Sequence, residues 1–416
     1  MRMKTSLLGG AALAAVAACA LTTPVLAQDT GIAWKGSPQF TNDDVQFKVR
    51  GRILLDAVFE DVDRETGVDQ EFRALRGRQV FLGVEGKLNN YIAYKAEGGA
   101  VNGGAWSWDD VVIEFKPNEM TSLMVGNIKA AGLENLTSTR FTTFMDRGPY
   151  GEIGPDSYTV SGVAKFNGLN WTLTGAVQGD SLNSADVTTG EERLGFTGRG
   201  SYAPILTDTT KVHVGGFVRQ RDHGDEAGFS YQTRPNTAFG SRYVNTGAIG
   251  KSDFTWGLEG AVIFNQFSLQ AEYADISVDR LTSATIVGSD PDIQVGYVFA
   301  SFWPTGEQRN YDAAKGEFAR PKILNPITAG GFGGVELAVR YDFADLTDAY
   351  ATAGNAATRT LSQDAGEYTA WTVGVNYYPT GYVRLQANYT ASKNDNPVTG
   401  RDVDANVFQL RAQMDF

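Results

Sequence analysis

From Val45 to the C-terminus, apolar and polar residues alternate with a period of two along much of the chain. Between Val45 and Glu60, the odd positions are apolar or glycine, whereas most even positions are polar or charged. The same alternation recurs at 335–343 and 408–416. Because successive side chains of a strand point to opposite faces, this pattern predicts strands with one apolar and one polar face.

About sixteen segments follow this pattern. They lie at 45–59, 72–88, 90–98, 109–117, 121–128, 158–166, 169–178, 192–203, 210–220, 253–264, 266–277, 291–302, 332–343, 368–378, 381–391 and 405–416. Many are close to the ~9–11 residues that a tilted membrane-spanning strand needs. The fifth segment has the weakest pattern.

The connections between these segments alternate between short turns and long polar loops. The predicted long loops are 60–71, 99–108, 129–157, 179–191, 221–252, 278–290, 344–367 and 392–404. Short turns at one end and long loops at the other are typical of an outer-membrane barrel. We therefore predict an all-β protein, a closed, porin-like transmembrane antiparallel β-barrel of about sixteen strands with constricting loops. Two soluble sandwiches are disfavoured, because charges recur on the polar face of strand after strand.

The two ends of the chain suggest export and membrane assembly. Residues 1–27 have a basic start, an apolar run and small residues before Ala27, which is the layout of a secretory signal peptide. We expect cleavage near Ala27, a periplasmic lead-in at 28–44 and a barrel at 45–416. Lipoprotein processing at Cys19, the only cysteine in the sequence, remains an alternative. The C-terminal Phe416, in the apolar phase, suits recognition by the outer-membrane assembly machinery.

Composition narrows the possible partners. The chain has 416 residues, 48 glycines and a formal net charge of −12, with an isoelectric point of about 4.8. A general role in binding nucleic acid is therefore disfavoured, and any anion binding has to be local. No cofactor or metal site is expected.

If the apolar faces contact lipid, the polar faces line a lumen that contains both bases and acids. The predicted basic residues of the lumen are Lys48, Arg50, Arg52, Arg76, Arg219, Arg221, Arg340, Arg384 and Arg411. Two segments could narrow it, the loop 129–157 and a long insert at 303–331 where a short turn is expected. They contribute the predicted anion constriction, formed by Lys129, Lys315, Arg320 and Lys322. Clustered bases in a narrow passage favour anions, although pairing with lumen acids is the alternative for each single residue.

Several motifs in order along the chain resemble the phosphate-selective porin O and P family. They include Gly51-Arg52-Ile53, Gly126 to Thr139, Phe144-Met145-Asp146-Arg147, Trp371 to Tyr378 and the ending Gln413-Met414-Asp415-Phe416. The resemblance implies a sixteen-stranded homotrimeric channel for phosphate or other anions in the outer membrane of a Gram-negative bacterium.

The resemblance also implies roles for single residues. Lys129 matches the lysine of the family's loop, Lys315 and Lys322 match lysines of its insert, and Arg219 and Arg221 match arginines that guide anions inward. Two departures weaken the implied specificity for phosphate. Ala130-Ala131 replaces the family's Pro-Phe, and the run of arginines is shorter.

Other functions fit the sequence less well. An enzyme is disfavoured, because His213 and His223 are the only histidines and no G-x-S-x-G motif is present. An adhesin or structural anchor would not conduct ions. A general diffusion porin without anion preference is the main alternative. The expected partners are small anions of the phosphate class, outer-membrane lipid, the assembly machinery and two further copies of the chain.

Overall fold

The chain folds into a closed antiparallel barrel of sixteen strands. A computed structural model describes residues 32–34, 36–42, 45–184, 190–224, 228–283 and 285–416, with the side chains of 32–34 excepted. The predicted signal peptide lies outside the described residues. Among the described residues, no helix has the length and apolar composition needed to cross a membrane.

The strands are numbered in chain order, and the barrel contains all of them except β1, β2, β12, β16 and β17. They are β1 (Ile32–Trp34), β2 (Pro38–Thr41), β3 (Gln46–Arg64), β4 (Gln70–Lys87), β5 (Ile92–Val101), β6 (Ala105–Asn118), β7 (Thr121–Ile128), β8 (Thr159–Asn167), β9 (Trp171–Gln178), β10 (Leu194–Leu206), β11 (Thr210–Asp222), β12 (Phe229–Thr233), β13 (Val244–Phe264), β14 (Phe267–Arg280), β15 (Asp292–Phe302), β16 (Asn310–Asp312), β17 (Glu317–Ala319), β18 (Gly334–Asp345), β19 (Glu367–Thr380), β20 (Val383–Asp395) and β21 (Val403–Asp415). The helices are α1 (Leu133–Leu136), α2 (Gly148–Ile153), α3 (Asp348–Ala351) and α4 (Ala356–Leu361), with a short 3-10 helix at Ile327–Ala329.

Each of the sixteen predicted segments coincides with a barrel strand, and the alternation separates two faces. On β3, Leu54 and Val58 are buried towards the lumen, whereas Leu55 and Phe59 are exposed on the outer surface. Residues directly opposite in an antiparallel pair project to the same face, so the pattern continues from strand to strand. The outer surface is therefore apolar, and the lumen face carries both polar and apolar side chains. A barrel that contacts lipid outside and encloses a polar interior requires this arrangement.

The last strand closes the barrel by pairing with the first. β21 runs antiparallel to β3 from Val403 opposite Arg64 to Asp415 opposite Arg52. Beyond this ladder, the backbone of Phe416 exchanges two hydrogen bonds of 3.0 Å with that of Gly51. Closure leaves no unpaired edge in the membrane, where water is absent and an unbonded backbone group is costly.

The predicted lead-in contributes two short strands beside this seam. β1 pairs with β2, and β2 pairs with the start of β3 through Gln39 opposite Lys48. This hairpin follows the edge of β3 beyond the point where β21 ends. It therefore extends the ladder on the side where the short turns lie.

Two predicted loops are much shorter than expected. The connection between β3 and β4 is 65–69, and that between β5 and β6 is 102–104. Residues near the tips, such as Asp61 and Glu71, are polar as in loops, yet they pair across the hairpin. A strand that extends past the membrane into water can be polar on both faces, so hydrophobic alternation stops before the strand does.

Three connections of the described chain fold into the lumen. One, residues 234–243 between β12 and β13, places the Asn236 amide nitrogen 2.7 Å from Asp342 on β18. The other two are longer and carry the predicted constriction residues. The first of these two, residues 129–158 between β7 and β8, contains α1 and α2 and is called the inner loop below. The second, residues 303–333 between β15 and β18, contains the hairpin of β16 and β17 and is called the insert. Both were predicted as candidates for narrowing the pore.

A buried ion pair spans the closing seam and provides a test of its stability. Arg411 on β21 binds Asp56 on β3 through two hydrogen bonds of 2.7 Å, and both side chains are buried. Asp56→Ala leaves the guanidinium without its counter-charge, so we expect the free energy of unfolding in detergent micelles to fall by roughly 3–5 kcal/mol.

The control is Lys393→Ala, which removes an exposed ion pair of 2.5 Å with Asp395 on β20. An exposed pair contributes about 0–1 kcal/mol, so urea unfolding curves should separate the two variants. Equal losses would contradict a stabilising role for the buried pair at the seam.

Candidate functional site: a basic cavity beside the inner loop

Arginines of the lumen wall bind the backbone of the inner loop. The donors and acceptors are Arg219 Nη1 to Gly154 O (2.6 Å), Arg384 Nη1 to Thr142 O (2.7 Å) and Arg411 Nη1 to Met145 O (2.8 Å). These arginines belong to β11, β20 and β21, so the loop lies against the later strands of the barrel. The side of the lumen formed by the later strands is thereby filled.

Arg219 and Arg221 are also neutralised by carboxylates. Arg221 contacts Asp253 at 2.7 Å and Asp156 of the inner loop at 3.0 Å, and Arg219 contacts the same two acids. Although burial opposes it, the neighbouring guanidinium groups Arg219, Arg221 and Arg193 hold the pKa of Asp156 well below its usual value. The ionised form of Asp156 is therefore favoured, and the geometry gives these arginines the role of fastening the loop.

Arg340 is engaged in the same way. It binds Glu134 of α1 at 2.6 Å and Asp342 at 2.7 Å, and it donates to the backbone oxygen of Arg147. Arg340 is buried. Five of the nine predicted lumen bases therefore hold the inner loop: Arg219, Arg221, Arg340, Arg384 and Arg411.

The insert also packs against the inner loop. Its Tyr311 hydroxyl lies 2.6 Å from Nδ1 of His213 on β11, and its Phe318 N–H donates to Thr137 of the inner loop at 3.2 Å. Tyr311 and Phe318 form an apolar cluster with Leu133 of α1. These two segments therefore support each other as well as the wall.

A cavity of about 1060 Å³ lies along the wall formed by β3 to β9. Twelve basic and seven acidic residues line it in a chain with a net charge of −12, and three further acids, Glu97, Asp146 and Asp415, pair with basic residues of this lining. The basic residues are Lys48, Arg50, Arg52, Arg78, Lys95, Lys116, Lys129, Arg140, Arg147, Lys165, Lys315 and Arg320. The acidic residues are Glu85, Asp109, Asp110, Glu114, Glu119, Asp312 and Glu317.

Three of the four bases predicted to form the constriction line this cavity. Lys129 and Lys315 lie on the inner loop and the insert. Arg320 also lines the cavity, but its guanidinium pairs with Asp415 and stacks on the ring of Tyr382 at 4.7 Å. Arg320 therefore connects the insert to β21, the closing strand. Lys322 is exposed on the insert and is not among the described residues that line the cavity.

The predicted bases on β3 form a charge network at the cavity wall. Arg50 and Arg52 share Glu97 at 2.8 and 2.9 Å, and Lys48 contacts Glu85 at 3.4 Å. Arg76 lies opposite Asp56 in register, hence on the lumen face, but it is exposed and is outside the cavity lining of the described chain.

Three cavity bases keep their charge unpaired. Among the described residues, Lys129, Arg147 and Lys165 form no ion pair with a carboxylate; they donate to the backbone oxygens of Asn135, Glu134 and Lys315. Lys129 Nζ also lies 4.6 Å from the ring centre of Tyr158. Burial and the nearby Arg147 guanidinium lower the pKa of Lys129 to about 7. These residues are the groups best able to attract an anion.

Lys165 and Arg78 are among the cavity bases that the sequence-based list of nine lumen bases does not contain. Lys165 lies on the same face of β8 as Thr159 and Ser161, at alternate positions of the strand. The alternation alone therefore predicts that Lys165 faces the lumen. Arg78 lies at a bulge of β4, where Leu54 pairs with Gln79 but Leu55 with Gly77. A bulge shifts the phase by one residue and leaves no reliable signal in a single sequence.

Comparison with known proteins agrees with this architecture. A family model described as phosphate-selective porin O and P matches residues 47–416. Porin O of Pseudomonas aeruginosa is 25% identical over 410 residues, covering 90% of this chain and 90% of its own length. An uncharacterized protein of Caulobacter vibrioides is 28% identical over 411 residues, covering 93% of this chain and 77% of its own length.

Two solved structures share the fold at low identity. In-vitro folded OmpT of Vibrio cholerae has a TM-score of 0.53 at 12% identity, over 90% of this chain and 99% of its own. An anion-selective porin from Comamonas acidovorans has a TM-score of 0.51 at 13% identity, over 89% of this chain and 100% of its own.

The position of the cavity can be tested by thiol labelling. Ser107 lines the cavity on β6, whereas Thr390 is buried on β20 away from it. We expect Ser107→Cys to react rapidly with a water-soluble methanethiosulfonate and Thr390→Cys to react far more slowly, since the reagent needs access to the thiolate. Cys19 is the only native cysteine and falls in the predicted signal peptide, so little background is expected. Equal rates would contradict the placement of the open space.

Proposed function

Because the chain belongs to the phosphate-selective porin O and P family and is therefore an outer-membrane channel, we propose that it conducts small anions in preference to cations. Phosphate and polyphosphate are the proposed substrates. The observation that carries the proposal is the surplus of basic residues around the cavity, which contrasts with the acidic chain as a whole. A narrow passage between walls of low dielectric constant focuses such a local charge.

The proposed anion site contains Lys129, Arg147 and Lys165, with Lys315 beside them. An anion can form charge-assisted hydrogen bonds with these groups without first breaking an ion pair at the first three. Arg147 Nε and Nη2 donate to the backbone oxygens of Glu134 and Thr137, so its Nη1 is the nitrogen left for a phosphate oxygen, and the lysines act as point charges. Backbone oxygens and Tyr158 occupy part of the donor capacity of Lys129, which supports weak binding and rapid release.

We also propose that cleavage near Ala27 yields the mature chain and that three copies assemble in the membrane. The family and the barrel fold indicate the outer membrane of a Gram-negative bacterium. One Vibrio cholerae OmpT structure is described as a trimer form, at 11% identity and a TM-score of 0.51. That likeness concerns the fold, and it supports the trimer only by analogy.

Bilayer recordings test the proposed selectivity. In a KCl gradient, the reversal potential should show that chloride permeates more readily than potassium, and added phosphate should block the chloride current. A reversal potential with the opposite sign would exclude anion preference. A reversal potential that shows equal permeability to chloride and potassium would favour a general diffusion porin.

Charge reversal in the cavity should weaken the phosphate block. We expect Lys129→Glu and Lys165→Glu each to raise the half-blocking phosphate concentration about tenfold, equivalent to about 1.4 kcal/mol. The matched control is Lys322→Glu, which makes the same change on an exposed part of the insert away from the cavity. If the control weakened the block as much as the cavity variants, the proposed site would be wrong.

The lowered pKa of Lys129 predicts that selectivity depends on pH. Since this pKa is about 7, Lys129 is protonated at lower pH and loses its charge as pH rises through neutrality. Anion preference should therefore be highest below pH 7 and decrease above it, in reversal potentials measured from pH 5.5 to 8.5. Lys129→Arg keeps its charge over this range and should remove the decrease. An unchanged pH profile in Lys129→Arg would contradict this assignment.

A further inference from the structure

One carboxylate on the barrel wall binds both helices of the inner loop. Glu272 on β14 is buried. Its Oε1 accepts hydrogen bonds from the Leu133 N–H at 2.6 Å and from the Tyr150 hydroxyl at 2.9 Å. Its Oε2 accepts the Glu134 N–H at 2.7 Å and also the Tyr297 hydroxyl. Four donors thus converge on a single side chain.

The helix bound by Glu272 also holds Lys129. Asn135 lies within α1, and its backbone oxygen accepts a hydrogen bond of 3.1 Å from Lys129 Nζ. The Asn135 amide donates to the backbone oxygens of Ala131 and Asp156 at 3.0 and 2.7 Å. A short path of hydrogen bonds therefore runs from Glu272 through α1 to the ammonium group at the cavity.

Glu272 and Arg340 hold α1 in different ways. Arg340 binds the side chain of Glu134, which can rotate, whereas Glu272 binds two backbone N–H groups and so fixes the helix itself. Loss of Glu272 would leave those two N–H groups buried without their acceptor, which disfavours the present position of α1. The contacts of Arg340, Arg384 and Arg411 with the backbone oxygens of Arg147, Thr142 and Met145, elsewhere in the loop, would remain.

We propose that Glu272 is the positioning residue of the anion site: it fixes α1 against the wall and thereby sets the place of Lys129 at the cavity. This inference rests on the proposed anion selectivity. It assigns an effect on anion binding to an acidic residue that is not among the described residues lining the cavity. The effect is transmitted by the geometry of Lys129.

A double-mutant cycle tests the proposal with the full-length channel in planar bilayers. The probe is inorganic phosphate, and the readout is the concentration that blocks half of the chloride current. Glu272→Ala should raise this concentration by a factor approaching that of Lys129→Ala. In the Lys129→Ala background, Glu272→Ala should have little additional effect, because coupled residues are not additive.

The matched control is Glu336→Ala. Glu336 is also a buried wall carboxylate that contacts the inner loop, but it binds Thr143 at 3.2 Å and Asn376 at 2.9 Å, not α1. We expect a much smaller change in phosphate block. Heat stability is measured for every variant. If Glu272→Ala does not fold, Glu272→Gln replaces it, because this change keeps the side-chain volume and removes one acceptor oxygen.

The outcomes separate the two proposals. If the wild-type channel does not prefer anions, the proposed function fails. If it does, any of four results would overturn the role of Glu272: an unchanged block in Lys129→Ala, an unchanged block in the Glu272 variant, additive effects in the cycle, or an equal effect of Glu336→Ala. Non-additive effects with an unaffected control would support it.

Discussion

The pore depends on the hydrogen bonds that buried arginines of the lumen wall donate to the backbone of the inner loop. A guanidinium group has five donors in a fixed plane, and a carboxylate on the wall satisfies only some of them. Arg411 illustrates the consequence, since it binds Asp56 with two nitrogens and Met145 O with the third. Each such arginine on a late strand therefore has a donor left for the inner loop. The loop lies where these donors are, and the open space remains on the other side.

This use of charge explains how an acidic chain can enclose a basic cavity. Acids in the lumen pair with the arginines that fasten the loop, as Asp253 of the wall and Asp156 of the loop do with Arg219 and Arg221. The bases that line the remaining space form ion pairs of their own, with Glu97 among others, and the lining bases still outnumber the lining acids. Net charge thus describes the whole molecule, whereas the field felt by an ion in a narrow passage depends on the nearest unpaired groups.

The sequence predicted the number and approximate positions of the barrel strands because alternation is a local signal that each strand carries alone. It did not predict which lumen bases would be free, because that depends on register and on how loops return. Arg219 and Lys165 are both bases on a polar phase, yet one holds Gly154 and the other faces the cavity. Lys322 and Lys315 belong to the same insert, but only Lys315 follows the hairpin inward. Arg78 was missed because a bulge shifts its phase.

A channel also requires that attraction and release be balanced. Too deep a well would trap an anion, so a pore lined with bases alone would conduct poorly. Here Lys95 is paired with Asp110 at 2.5 Å and Lys116 with Glu114 at 3.3 Å, so part of the cavity wall is close to neutral. Lys129 and Lys165 extend from different segments, the inner loop and β8, and each donates to a backbone oxygen. If anions permeate as proposed, an anion near Lys129 or Lys165 competes with the backbone oxygen that the ammonium group already binds, which favours weak binding and release.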